Sequence, residues 1–286
     1  MRTQNIRDNM QHFILTRFNI LLWKKDKDGC KVRTMKWLEH RFSLFERYCL
    51  PSIANQTCKD FEWIVLFDSK TPEHYKNKVI EYQQNCPQLI PIYVEPENGR
   101  LFAQIFRSEI VKRMNAKRVI TSYLDNDDAL DIHFVEDIQK RVSSLEDGTF
   151  FFYEDGFQLY TDYKYLMRIH YPKNHFVSVV EKGDPSSLKT IYGYGSHYYI
   201  DKIKEAKIVY VNNRPLWCEV IHEKNMGNDA YFLGAKMIND EGLLRRDFGV
   251  DETIKHGVAL YLIRFLPRYA KTFVRRTKYF FFGRHW

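Results

Sequence analysis

Four short runs of β-branched and aromatic residues recur through the first half of the chain, each followed by polar residues and then by helical spacing. No other feature of the sequence restricts the fold as much. The runs are Phe13–Phe18, Phe61–Phe67, Leu89–Val94 and Val119–Leu124, continuous enough to be strands buried on both faces. Between them, Trp37 to Tyr48 places apolar residues at 37, 38, 42, 44, 45 and 48, a helical stripe. Leu50-Pro51 continues or restarts that helix, with Pro51 suited to a first helical position. Thr71-Pro72-Glu73 signals another helix start, and Leu101 to Met114 is amphipathic. Strands and helices alternating in this way wind into right-handed βαβ units. The expected fold class is therefore α/β, Rossmann-like: a mostly parallel central sheet flanked by helices. Pro91 puts the third strand near a sheet edge, since proline cannot donate to a ladder.

In open parallel sheets, ligands bind beyond the carboxyl ends of the strands. Asn19, Asp68 and the run Asp125-Asn126-Asp127-Asp128 all lie at such ends. Three carboxylates in four residues repel one another unless something positive sits between them. A divalent cation is the natural partner, because hard oxygen ligands suit magnesium or manganese. Asp125 and Asp127, one residue apart, can converge on one ion from a turn. A helix start at Ala129-Leu130 would need only one Asp as its cap, and three exceed that need. The acids at 68 and 125 to 128 are expected to share one crevice.

After Asp131 the pattern changes. His133 to Val142 is helical, Thr149–Tyr153 is a strand, and short aromatic strands and turns dominate from 155 to 220. These read as an antiparallel, substrate-facing part of the same domain. The organisation expected is one domain over 1–250 and a basic amphipathic C-terminal tail over 251–286. That tail carries Arg264, Arg268, Lys271, Arg275, Arg276, Lys278 and Arg284 among aromatic and aliphatic residues. It suits an acidic membrane surface, or equally a packed helix with a solvated basic face.

A formal net charge of +8 favours anionic partners. Nucleic acid is one candidate, but the acidic run would repel phosphate and no named nucleic-acid motif is present. The five cysteines, at 30, 49, 58, 86 and 218, form no CxxC pair, so neither a zinc site nor a disulfide framework is indicated. No run of about 18 apolar residues occurs, and the first residues are polar. A cytoplasmic protein is expected, with the tail able to hold it at the inner face of the cytoplasmic membrane.

Several pieces of sequence together resemble a known family. They are Arg17-Phe18-Asn19, Arg41 with Leu44 to Tyr48, Leu50 to Ile53, Phe61-Glu62-Trp63, Asp68, Thr71-Pro72, Leu124 to Leu130, and His222 with Asn225 after Trp217. Over roughly residues 10 to 250 the chain is similar to the bacterial rhamnosyltransferase family, within the GT-A class of nucleotide-sugar glycosyltransferases, and the resemblance implies a GT-A-like α/β fold with a C-terminal helical tail. The resemblance implies that Thr16, Arg17, Asn19 and Asp68 hold the base and ribose of the donor. It implies that Asp125 and Asp127, with Asp128 as a further candidate, orient the ribose and a Mn2+ or Mg2+ ion bridging the diphosphate. His222 is the candidate late metal ligand.

The chain departs from the pattern of the related family-2 enzymes at Arg107-Ser108-Glu109, where Ala-Arg-Asn is usual. The base of an inverting reaction has no clear counterpart. Glu154, Asp155, Glu181 and Glu219 are nominated, with Glu219 preferred for its closeness to Trp217 and His222. Glu219 and Asp128 are the catalytic candidates. Trp217 is either a sugar-stacking surface or core.

The expected activity is transfer of a sugar from a nucleotide-diphosphate donor to a glycan or glycolipid hydroxyl, in bacterial surface polysaccharide synthesis. A metal-dependent phosphotransferase and a nucleic-acid-binding protein are the rival readings.

Overall fold

The computed structural model describes residues 10–22, 34–162, 164–204, 206–212, 214–222 and 235–255, with the single tail positions 266, 270, 273, 274 and 277. Asn225 and nearly all of the basic tail lie outside the described residues.

The four strands expected in the first half are present: β1 (Met10–Arg17), β2 (Glu62–Asp68), β3 (Leu89–Val94) and β4 (Arg118–Tyr123). β1 lies between β2 and β4, parallel to both, and β3 pairs with β2 at the edge, where Pro91 faces Val65. The interiors of β1 and β2 are fully buried, as strands covered on both faces must be. Alternation along the pleat divides their side chains between two cores. Ile14, Trp63, Val65 and Phe67 face one way, toward the helices α1 (Met35–Leu44), α2 (Leu50–Ala54) and α3 (Glu73–Asn85). Phe13, Leu15, Ile64 and Leu66 face the other way, toward Phe106 and Ile110 of α4 (Phe102–Arg113).

α1 starts at an N-cap, the Thr34 hydroxyl accepting from Trp37 N at 3.2 Å. It reaches α2 through one wide turn over Phe45–Cys49, in which Leu50 N bonds to Phe45 O, one residue further back than in an α-helix. Pro51 has no N–H to continue the regular ladder, so the register shifts just ahead of it. Phe45 stacks on Trp63 at 5.4 Å and seats this corner on the sheet.

Beyond α5 (Phe134–Val142) the chain extends the first sheet and builds a second. β6 (Thr149–Tyr153), β9 (Val177–Lys182) and β10 (Lys207–Val211) complete a seven-stranded sheet in the order β10-β6-β9-β4-β1-β2-β3. β9 runs antiparallel between β4 and β6. The second sheet, β12-β8-β7-β11-β5, comprises β5 (Ala129–Leu130), β7 (Asp155–Tyr160), β8 (Tyr165–His170), β11 (Trp217–Ile221) and β12 (Lys236–Met237). α6 (Leu243–Phe248) packs on it, and the packed chain runs at least to Ile254, which is buried. No helix among the described residues is long and apolar enough to cross a membrane.

Trp217 belongs to the core. Its Nε1 donates to Tyr153 O at 2.8 Å, and its indole stacks on Phe176 at 4.7 Å and lies directly over Gly156. A Cβ at position 156 would come within 2.1 Å of the indole. Gly156→Ala should therefore destabilise the fold by at least about 1–3 kcal/mol through overpacking. A thermal melt checks this, and an unchanged Tm would refute the packing.

The buried imidazole of His12 joins β1 to β4 and β9, Nε2 lying 2.7 Å from the Ser122 hydroxyl, itself 2.6 Å from that of Ser178. Burial lowers His12 from 6.5 to about 3. The unfolded chain thus takes up a proton that the folded chain refuses. The stability is fully present above pH 6.5, and about 1.4 kcal/mol is lost per pH unit below it, down to about 3. Tm measured from pH 7 to pH 4 should fall less steeply in His12→Gln than in the parent, whereas parallel curves would exclude His12 as the source.

Candidate active site

The carboxyl ends of β1, β2 and β4 converge, tied by Phe18 N to Leu66 O and Leu124 N to Leu15 O. Just past β4 the chain turns, with Asp128 N facing Asp125 O at 3.4 Å, and then enters β5. This turn buries Asn126, Asp127 and Asp128 while leaving the Asp125 side chain 29% exposed. Asn126 pins the turn to β1, its Nδ2 donating to Phe18 O at 2.6 Å, and its Oδ1 accepts from Arg41 of α1.

Each acid of the turn has its own partners. Asp127 Oδ2 accepts from Arg41 Nη1 at 3.0 Å and lies 2.9 Å from His222 Nε2. Burial alone would raise its pKa, but Arg41 and His222 outweigh burial and hold the carboxylate well below its usual range. Asp128 is fully buried, its Oδ1 accepting from Val220 N at 2.8 Å and its Oδ2 lying 2.7 Å from His175 Nε2. Burial would lower His175, yet the Asp128 carboxylate raises it to about 9. Asp125 accepts from the Tyr123 hydroxyl at 2.9 Å and makes a longer ion pair with Arg17, at 3.5 Å.

Arg17 stands at the end of β1 inside a box of rings, its guanidinium 5.0 Å from Phe102, 5.4 Å from Tyr123 and 5.1 Å from Tyr192. Thr16, its neighbour, points to the opposite face, where its hydroxyl accepts from Trp63 Nε1 at 2.9 Å in the core. Asn19 joins the ends of β1 and β2, its Oδ1 accepting from Asp68 N at 2.9 Å and its Nδ2 donating to Thr71 at 3.0 Å. Asp68 is buried beside it, with Oδ1 accepting from Lys70 N at 2.7 Å. Asn19 and Asp68 therefore tie the ends of β1 and β2 together.

Of the nominated bases, Glu219 shares the field of the acidic turn. It is buried on β11 and accepts from Gln158, whose Oε1 in turn accepts from the Tyr160 hydroxyl at 2.8 Å. Burial raises its pKa, His175 and Gln158 oppose this, and Asp127 and Asp125 add to the rise. Asp155 is paired with Arg168 at 2.6 Å and His170 at 2.8 Å. Glu181 accepts from the backbone N–H groups of Lys189 and Thr190, both at 2.9 Å. Arg107 holds the carbonyls of Leu188 and Pro185, at 2.8 and 2.5 Å.

His175 was not among the residues expected from the sequence. It follows Pro172-Lys173-Asn174 in the connection from β8 to β9, and no spacing links it to the turn at 125 to 128. Yet donor atoms of Asp125, Asp128 and His175 all lie within 4.8 Å of one another. Two carboxylates and an imidazole fit a divalent cation, and the imidazole favours manganese over magnesium. Asp127 and His222, expected as ligands, face each other, and Asp127 also accepts from Arg41.

Residues 12–230 match the model of the family described as "Putative rhamnosyl transferase". Among solved structures, S. aureus TarS (residues 1–349) aligns at 12% identity and a TM-score of 0.38, over 74% of this chain and 60% of that one. The inositol-1-phosphate CTP transferase from T. maritima aligns at 13% identity and a TM-score of 0.35, over 73% of this chain and 89% of that one. The chain thus spans about 60% of the TarS fragment's length, and likeness this distant adds nothing to the functional argument. No curated protein matches the chain. The family match takes in β1 to β11, and with them the acidic turn, Arg17, Arg41, His175, Glu219 and His222; the chain belongs to the Putative rhamnosyl transferase family.

Proposed function

We propose that the protein is a metal-dependent glycosyltransferase that moves a sugar from a nucleotide-diphosphate donor to a hydroxyl of a glycan or glycolipid. One observation carries this beyond family membership. At the carboxyl ends of three parallel strands, three acids in one turn meet two guanidinium groups and two imidazoles. That is the place and the chemistry for gripping a diphosphate.

Asp125, Asp128 and His175 would hold the cation. A divalent ion there neutralises charge on a departing nucleoside diphosphate. Arg17, already beside Asp125, adds a fixed positive charge at the same edge. Asn19 and Asp68 set the shape of the crevice where β1 and β2 end. Glu219 serves as the base toward the acceptor hydroxyl, because burial raises its pKa toward neutrality, where proton abstraction is most effective. Asp127 is kept charged by Arg41 and His222, which fixes the turn. Surface polysaccharide is the acceptor class that fits the family, and the basic, aromatic sequence of 251–286 suits an anionic membrane surface carrying it. A phosphotransferase on the same site is the alternative, and it would leave the sugar on the donor phosphate.

Calorimetry with UDP, GDP, CDP and dTDP, with and without Mn2+, tests the site. At least one nucleotide should bind, and only with the metal. Equal binding without metal would remove the cation from the reading, and no binding at all would remove the donor. In the same assay His175→Ala should weaken Mn2+ binding about 10-fold or more, and His222→Ala should weaken it less. The reverse order would place the ion on Asp127 and His222.

Glu219→Gln should lower kcat by about 10²–10⁴ with little change in donor KM. A retained rate would disqualify Glu219.

A further inference from the structure

Residues 183–194 form a strap that leaves β9 and crosses toward β1, and its backbone is strained at one point. Thr190 has φ 66° and ψ 162°, a combination almost confined to glycine. For a β-branched residue this is a strong outlier. Thr190 is completely buried, and its hydroxyl finds no hydrogen-bond partner. Such a conformation survives only where the surroundings over-determine it.

Here they do so from three sides. From β9, the Glu181 carboxylate accepts from Lys189 N and Thr190 N, both at 2.9 Å, and from the Tyr194 hydroxyl at 2.9 Å. From β4, the Thr121 hydroxyl accepts from Ile191 N at 2.8 Å. From α4, Arg107 donates to the carbonyls of Leu188 and Pro185.

All these bonds surround one side chain. Tyr192 lies flat on Phe106 at 5.0 Å, meets Phe102 edge-on at 5.3 Å and leans on Tyr123 at 4.9 Å. Its ring is the third wall of the box around the Arg17 guanidinium. Arg17 needs that wall. Its Nε has no acceptor, so its direction depends on the rings, the Tyr123 hydroxyl and the ion pair with Asp125.

We infer that Glu181, Thr190 and Arg107 are positioning residues for the donor site: they fasten the strap so that Tyr192 holds Arg17 against Asp125. This rests on the proposed function, in which Arg17 meets the diphosphate. The strain at Thr190 is the stored counterpart of that preorganisation. Glu181, a nominated base, and Arg107, the residue at the family-2 departure, acquire one shared role.

Thr190→Gly separates positioning from ordinary stability, because glycine relieves the strain while loosening the strap. The full-length variant should melt no lower than the parent, yet bind the preferred nucleotide of the calorimetric panel, with Mn2+, about fivefold more weakly or worse. Glu181→Ala should weaken binding more than Glu181→Gln, which keeps one acceptor oxygen. In an Arg17→Lys background, Thr190→Gly should cause no further loss, because the group it positions is already gone.

Thr190→Gly binding within twofold of the parent, or losses that add in the double variant, would overturn the inference and leave the donor site standing. Failure of the parent to bind any of the four nucleotides would instead remove the donor-site reading, and this inference with it.

Discussion

Three carboxylates in four consecutive residues, two of them buried, stay together only if each receives its own compensation, and the rest of the structure is arranged around that requirement. Asp127 is met by Arg41 from α1 and by His222 at the end of β11. Asp128 is met by His175, from the connection before β9, and by Val220 N of β11. Asp125 is met by Arg17 of β1 and by Tyr123 of its own strand. Removing one partner of a buried ion pair typically destabilises a protein by about 3–5 kcal/mol. The turn therefore holds together only when the first helix, both sheets and the β8–β9 connection are in place. The site thus joins residues more than a hundred positions apart in sequence, Arg17 with Asp125 and Asn126 with Phe18.

That coupling also decides what could be read from the sequence. β1 to β4 were legible because each is a continuous apolar run, and continuity is what burial on both faces imposes. The place of β9 was not legible. Val177-Ser178-Val179-Val180 lies within the stretch read only as short strands and turns, and its antiparallel insertion between β4 and β6 depends on long-range pairing that carries no local signal. Thr16 shows a subtler effect. It sits at a strand end beside Arg17, but the pleat sends consecutive side chains to opposite faces. Arg17 joins the α4 side and the crevice, while Thr16 joins the α1 side and Trp63.

The histidines divide along the same line. His222 was reached through resemblance, and the structure brings it to 2.9 Å from Asp127. His175 had no motif to announce it, since one histidine in a polar turn is most often only structural, and only the closing of β9 against β4 delivers it to Asp128. Glu181 was legible as an acid but not as an anchor. A carboxylate that accepts from two successive backbone N–H groups is serving its own loop, and only the course of that loop reveals this.

The partners also differ in strength, and the difference bears on how the site can work. Asp127 and Asp128 are buried and held at 2.7 to 3.0 Å by Arg41, His222, His175 and Val220 N. Asp125 is the exposed member, and its link to Arg17 is the longest, at 3.5 Å. A pair of partly exposed charges at that distance is screened by water and contributes little. Exchange of partners is therefore easiest at Asp125. A cation held as proposed by Asp125, Asp128 and His175 would meet one loosely held carboxylate. The Arg17 guanidinium also rests on three rings, contacts that do not depend on that ion pair. The firm pairs thus serve as scaffold, and the weak pair is where binding chemistry can enter.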